Sequence, residues 1–76
     1  MTLDPLTGPS RARVLRALHQ PRTIGDLAAL LEIVPSAASR HVDVLEAAGL
    51  VARRRAGREV LVARSARGAE LLALDE

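Results

Sequence analysis

The chain has no cysteine, no lysine and no aromatic residue among its 76 positions. Without cysteine there is no disulfide and no thiolate metal site, which fits a reducing compartment. The two histidines, His19 and His41, are isolated and cannot build a metal cage between them, so neither metal nor cofactor is expected. Without aromatic rings there are no platforms for stacking the bases of single-stranded nucleic acid. No apolar run is long enough to span a bilayer, and no charged start precedes an apolar leader. The expectation is a soluble cytoplasmic protein with no membrane attachment. Enzyme chemistry also lacks its parts. There is no phosphate-cradling glycine loop, and Ser39 and His41, two residues apart, would face different directions on a helix.

What is present starts with size and charge. Seventy-six residues allow one thin core, so a single domain is expected over residues 1–76. Residues 1–8, with Pro5 and Gly8, read as a flexible leader that orders only when covered. All eleven basic residues are arginine, whose planar fork suits phosphates and guanine edges; a GC-rich coding bias would give the same composition. The net charge is only +2, yet it is unevenly spread. Residues 1–25 carry four arginines against Asp4, residues 26–48 carry four acids against Arg40, and residues 49–76 carry six arginines against four acids. Basic charge therefore gathers near the beginning and in the last third, as an electrostatic footprint would.

The pattern of apolar residues gives the elements. Pro9 and Ser10 open a first helix with Val14, Leu15 and Leu18 on its apolar arc and His19 in its last turn, and Pro21 stops it. Thr23 starts a second helix as a capping-box residue, with Asp26 three positions on. Its face is Ile24, Leu27, Ala28 and Leu31, and residues 32–34 turn the chain. Pro35 begins a third helix that buries Ala38, Val42 and Leu45 and turns Ser36, Ser39, Arg40 and Asp43 outward, and Gly49 closes it in a left-handed cap. Residues 50–55 and 58–63 read as strands around Ala56-Gly57, with Val60 and Val62 on one side and Leu61 on the other. This hairpin carries Arg53, Arg54, Arg55 and Arg58. Ser65 caps a last helix with Ala69, Leu72 and Ala73 in a stripe and Leu71 beside it. The fold predicted is mainly α with a small β-hairpin: three helices, a two-stranded wing and a C-terminal helix, the winged helix-turn-helix arrangement.

With these elements placed, the chain resembles bacterial winged-helix repressors of the ArsR and MarR type over roughly residues 9–74. SAASRHV at residues 36–42 and VLEAAGLV at 44–51 resemble the ArsR recognition helix and its exit. Arg11 with Val14, Leu15 and Leu18 is similar to the family's first helix, and TIGDLA at 23–28 to its second. The end of the hairpin and residues 65–72 look more like MarR. The resemblance implies that the third helix enters a major groove while the wing reaches neighbouring backbone or minor groove. It maps Ser36, Ala37, Ser39, Arg40 and His41, with Arg53, Arg54, Arg55 and Arg58, onto DNA-binding positions. His41 has a competing reading as a residue that packs or bonds the backbone.

The sequence departs from the pattern in places. Val34 stands where these repressors have a serine-like cap, so Ser36 or the backbone must substitute. Leu61 or Val62 replaces an aromatic on the returning strand, and the acidic, histidine and cysteine ligands of metal sensors are absent. The function expected is sequence-specific binding of double-stranded DNA as a transcriptional regulator, a repressor by occupancy. The protein would be nucleoid-associated, and a homodimer through its N- and C-terminal segments, where Leu3, Leu6, Leu71 and Leu74 are costly to expose. The competing class is a winged-helix protein-interaction module that does not touch DNA.

Overall fold

The computed structural model describes residues 9–75. The leader expected at residues 1–8, and with it Leu3 and Leu6 of the expected dimer segment, lie outside these described residues. The element order is α1 (Pro9–Ala17), α2 (Ile24–Leu31), α3 (Pro35–Ala47), β1 (Val51–Ala56), β2 (Glu59–Arg64) and α4 (Ala66–Asp75). The predicted class, helices with a two-stranded antiparallel wing, is the observed one.

Local chemistry explains each helix end. α1 stops at Ala17, two residues before His19, which lies in the following turn rather than in the last helical turn as expected. The carbonyl of Ala17 accepts from Nε of Arg22 at 2.7 Å, which satisfies the helix end without further winding. At the start of α2 the amide of Asp26 donates to Oγ1 of Thr23 at 3.0 Å, the forward half of the expected box. α2 and α3 end in the same double hydrogen-bonded motif. Glu32 and Ile33 donate to Ala29 and Ala28, as Gly49 and Leu50 donate to Glu46 and Leu45. Both motifs need a left-handed residue; Gly49 supplies it at φ 77° and Glu32 at φ 58°.

α1, α2 and α3 meet over one apolar cluster in which Leu15, Leu27, Leu45 and Val62 are almost wholly buried. Burying each leucine is worth about 1.5–3 kcal/mol. The outward positions of α3 are thus fixed by Ala38, Val42 and Leu45, each with no exposed surface.

The hairpin turn lies one residue later than expected. Ala56 pairs with Glu59, so Gly57 and Arg58 form the turn in place of Ala56-Gly57, and the strands run one position later. Gly57 has φ 65° and Arg58 is not left-handed, the pattern of a two-residue turn with glycine first. Arg58 consequently sits at the tip rather than in a strand. Val62 is buried and Val60 exposed, although both are on one face, because Val60 lies beyond the reach of the core. Arg22 forms an isolated bridge on the free edge of β2, exchanging hydrogen bonds of 3.0 and 2.7 Å with Val62.

α4 begins as predicted, with the amide of Gly68 donating to Oγ of Ser65 at 2.9 Å. Its stripe is not the predicted one. Gly68 and Leu72 are buried with Leu71 half-buried, while Ala69 and Ala73 face outward. The cause is a close approach of backbones: a Cβ at Gly68 would lie 2.1 Å from the carbonyl oxygen of Leu50. That contact rotates α4 by about one residue from the face its alanines suggest.

Candidate nucleic-acid interface

α3 presents the candidate residues in a graded way. Ser36, Arg40 and Asp43 are exposed; Ala37, Ser39 and His41 are half-buried. Val34 gives the helix no side-chain cap. Its carbonyl instead accepts from the amides of Ala37 and Ala38 at 3.0 and 3.1 Å, and Pro35 at the first position has no amide to satisfy. The backbone, not Ser36, replaces the missing cap. Ser36 is left on the surface beside the positive end of the helix dipole.

The wing arginines do not form one set. Successive side chains on a strand alternate between faces, so Arg53 and Arg55 share the side of buried Val51 and Val62, and Arg54 takes the other side with Leu61. Arg53 is turned onto α3, where Nη2 donates to Oδ1 of Asp43 at 2.8 Å and Nη1 to Oε1 of Glu46 at 2.5 Å. Burial works against its charge, but the hydrogen bonds with Asp43 and Glu46 outweigh it and move its pKa up. Arg53 is thus a strut between wing and helix, and it offsets one of the two negative charges of Asp43 and Glu46 on α3. Arg54, Arg55 and Arg58 are exposed.

Several other arginines are absorbed by the fold. Nη2 of Arg13 donates to the carbonyl of Leu31 at 3.4 Å, and Nη1 of Arg64 to that of Leu15 at 3.0 Å. With Arg22 on Ala17, these complement carbonyl-rich helix ends. The basic clustering read from the sequence near the first helix is therefore in good part structural. No signal in the sequence pointed to these roles, since each joins residues brought together only by packing or turn geometry.

His41 is half-buried on the flank of α3. Its pKa is lowered by burial first, then by Arg11 and Arg40. Its Nδ1 is buried without a hydrogen-bond partner, and so is Nε of Arg11. The expected bond from His41 to the backbone is not made through Nδ1. Arg11 entered the sequence reading only through likeness to a family's first helix; here it stands within electrostatic reach of the candidate face.

Among the described residues no group of three or more histidine, cysteine or acidic side chains could hold a metal. No helix among them is long and apolar enough to cross a membrane.

The sequence matches a helix-turn-helix domain family over residues 6–54. No curated protein matches the chain. Among solved structures it is similar to the transcriptional regulator BldR from Sulfolobus solfataricus, with 33% identity, TM-score 0.81, and coverage of 97% of this chain and 53% of that one. It is similar to a MarR family protein from Bacillus stearothermophilus at 26% identity and TM-score 0.82, covering 87% and 49% of the two chains. The homodimeric winged helix-turn-helix DNA-binding domain of Mb0332 from Mycobacterium bovis gives 26% identity and TM-score 0.82, covering 92% and 67%. The chain spans about half the length of the BldR and Bacillus stearothermophilus proteins. The family and these neighbours are winged-helix transcriptional regulators of the MarR and ArsR type, not enzymes.

Proposed function

The chain belongs to the helix-turn-helix domain family, and on that premise we propose that it binds double-stranded DNA as a transcriptional regulator. α3 enters the major groove, and the wing lies on flanking backbone or minor groove. One observation carries this reading. The outward side of α3 offers Ser36, Ser39 and Arg40, while the acids beside them, Asp43 and Glu46, are both held by Arg53, which offsets one of their two charges. Short hydroxyls beside the positive end of the helix dipole suit phosphate oxygens. Arg40 suits the O6/N7 edge of guanine, a contact worth about 1–3 kcal/mol of discrimination. Arg54, Arg55 and Arg58, with no carboxylate bonded to them among the described residues, suit the backbone.

Regulation is by occupancy: a protein on operator DNA excludes polymerase, which makes repression the simplest outcome. Two copies would place their third helices about 34 Å apart, one helical turn of DNA. The homodimeric state of the Mb0332 domain supports pairing. So does Leu74, which is 84% exposed near the end of α4. The place of action is the bacterial nucleoid, in the cytoplasm.

The test is fluorescence anisotropy of a labelled duplex across a salt series, the label being on the DNA because the protein has no tryptophan or tyrosine. Phosphate contacts by Arg54, Arg55, Arg58 and one further cation give a log–log slope of roughly −3 to −4 per protomer. Arg40→Ala weakens a preferred site more than random duplex, and Arg55→Ala weakens both alike. Flat anisotropy at low salt would instead favour an interaction module, for which exposed Leu30 and Val34 near the α2–α3 turn offer one apolar surface.

A further inference from the structure

The two acids that Arg53 holds are placed differently on α3. The buried Ala38–Val42–Leu45 stripe defines the inner side of the helix. At about 100° per residue, Ser36, Arg40 and Asp43 all fall within about 50° of the opposite direction. Ser39, half-buried, lies near a right angle to that direction, and Glu46 lies further round. Asp43 therefore joins Ser36 and Arg40 on the ridge that would face the floor of a groove. It keeps 64% of its side-chain surface exposed even while paired with Arg53. Arg53 bonds Oδ1 of Asp43, and Oδ2 receives no hydrogen bond among the described residues.

A carboxylate on such a ridge is repelled by the phosphates on either side of a groove. Arg53 offsets one of the two charges, so the helix approaches with only part of that repulsion. The chemistry of the ridge is also divided. Arg40 can only donate hydrogen bonds, and an ionised Asp43 can only accept them. In the major groove the donors are the N4 amine of cytosine and the N6 amine of adenine. Adenine sets its N7 acceptor beside the amine, where the lone pair repels a carboxylate; cytosine has only a C–H there. Cytosine is therefore the better partner. Arg40 and Asp43 are three residues apart, a rise of about 4.5 Å, close to the roughly 3.4 Å between successive base pairs. The two side chains are spaced for neighbouring pairs.

We propose that Asp43 is a specificity-determining residue: it accepts from the N4 amine of a cytosine next to the guanine that Arg40 forks. This rests on the DNA-binding reading and assigns a second base to it. Arg53 is the positioning residue, because its hold on Oδ1 orders the carboxylate before the duplex arrives and leaves Oδ2 for the base. Asp43→Asn is the informative change. Asparagine keeps the shape, and its amide oxygen can stay on Arg53. The atom left for the base then becomes an NH2 donor in place of an acceptor, which suits guanine O6/N7 or thymine O4 and not the cytosine amine. A carboxylate that served only to anchor the wing would change overall affinity on this substitution and leave base preference alone.

The test is selection from a randomised duplex library by the wild type and by Asp43→Asn, checked for folding by circular dichroism, followed by anisotropy on the selected duplexes. The wild type should enrich a guanine with a cytosine at the neighbouring position. Asp43→Asn should keep the guanine and exchange the cytosine for guanine or thymine at that one position. A second measurement needs no variant. N4-methylcytosine at the selected position keeps the base pair but covers the amine, and should weaken wild-type binding about tenfold. The same motif selected by both proteins, or indifference to the methylated amine, overturns the assignment and leaves Asp43 as an anchor for Arg53. Duplex binding with no sequence enriched also sinks it, while the DNA-binding reading stands. Failure of any duplex to bind removes both.

Discussion

The body of the molecule and its wing use one residue type for opposite ends. In the body, Arg13, Arg22 and Arg64 donate to carbonyl groups at or near helix ends, and at the hairpin base Arg53 bridges two carboxylates. Toward the tip, Arg54, Arg55 and Arg58 are exposed. The first group holds elements together and has little charge left to offer a ligand. The second contributes nothing visible to the fold and offers all of its charge. Counting basic residues along the chain merges the two, which is why a net charge of +2 neither argues for nor against a polyanion partner.

The comparison is broken most forcefully by removing the tip. Arg54, Arg55 and Arg58 changed together to alanine should weaken duplex binding on the order of a hundredfold at low salt and leave the melting temperature within error. A clear loss of thermal stability would mean that the tip is structural after all. Arg53→Ala straddles the two groups. It should lower stability by no more than about 1 kcal/mol, since both pairs are solvent-accessible, and weaken binding about tenfold by leaving Asp43 and Glu46 to face phosphates. Chemical denaturation and anisotropy on the same sample separate the two effects. Arg22→Ala should cost about 1 kcal/mol from the lost bond to Ala17 with duplex affinity unchanged, and an affinity loss would move Arg22 into the second group.

The smallest effect concerns pH. His41 has a folded-state pKa below its unfolded value, so between the two the unfolded chain binds more protons. Stability from this group is complete above about pH 6.5, the ordinary imidazole value, and declines as pH falls below it. Denaturation midpoints at pH 7.5 and 5.5 should differ in that direction for the wild type, and less for His41→Gln.

Much of the fold was legible because its signals are local. The apolar spacing of Ala38, Val42 and Leu45, the cap at Thr23, the glycine stop at Gly49 and the cap at Ser65 all act within a few residues. The element order followed from them. What was not legible depends on packing between distant segments. Arg53 reads like its neighbours in RRR, and only the pleat and the nearness of α3 separate it from Arg54. The hairpin turn slid by one residue because glycine is compatible with either central position. The stripe of α4 looked like its alanines, since small size at Gly68 carries no hydrophobic signal. Of the candidate site, the outward positions of α3 were legible from helical period, while the setting of His41 against Arg11 required the third dimension.

The close approach at Gly68 has a consequence for the sequences this fold can accept. Most positions in a small domain are under graded constraint, where a poorer residue lowers stability and a better one elsewhere restores it. Position 68 is different, because a methyl group placed 2.1 Å from the Leu50 oxygen can be relieved only by moving the backbone of α4 or of the helix exit. No second substitution can shrink a carbonyl. Its alphabet is therefore one letter, beside Ala69 and Ala73 whose alphabets are nearly open. In a saturation library selected for folding, position 68 would carry close to the full information content of a single residue, from a side chain consisting of one hydrogen atom.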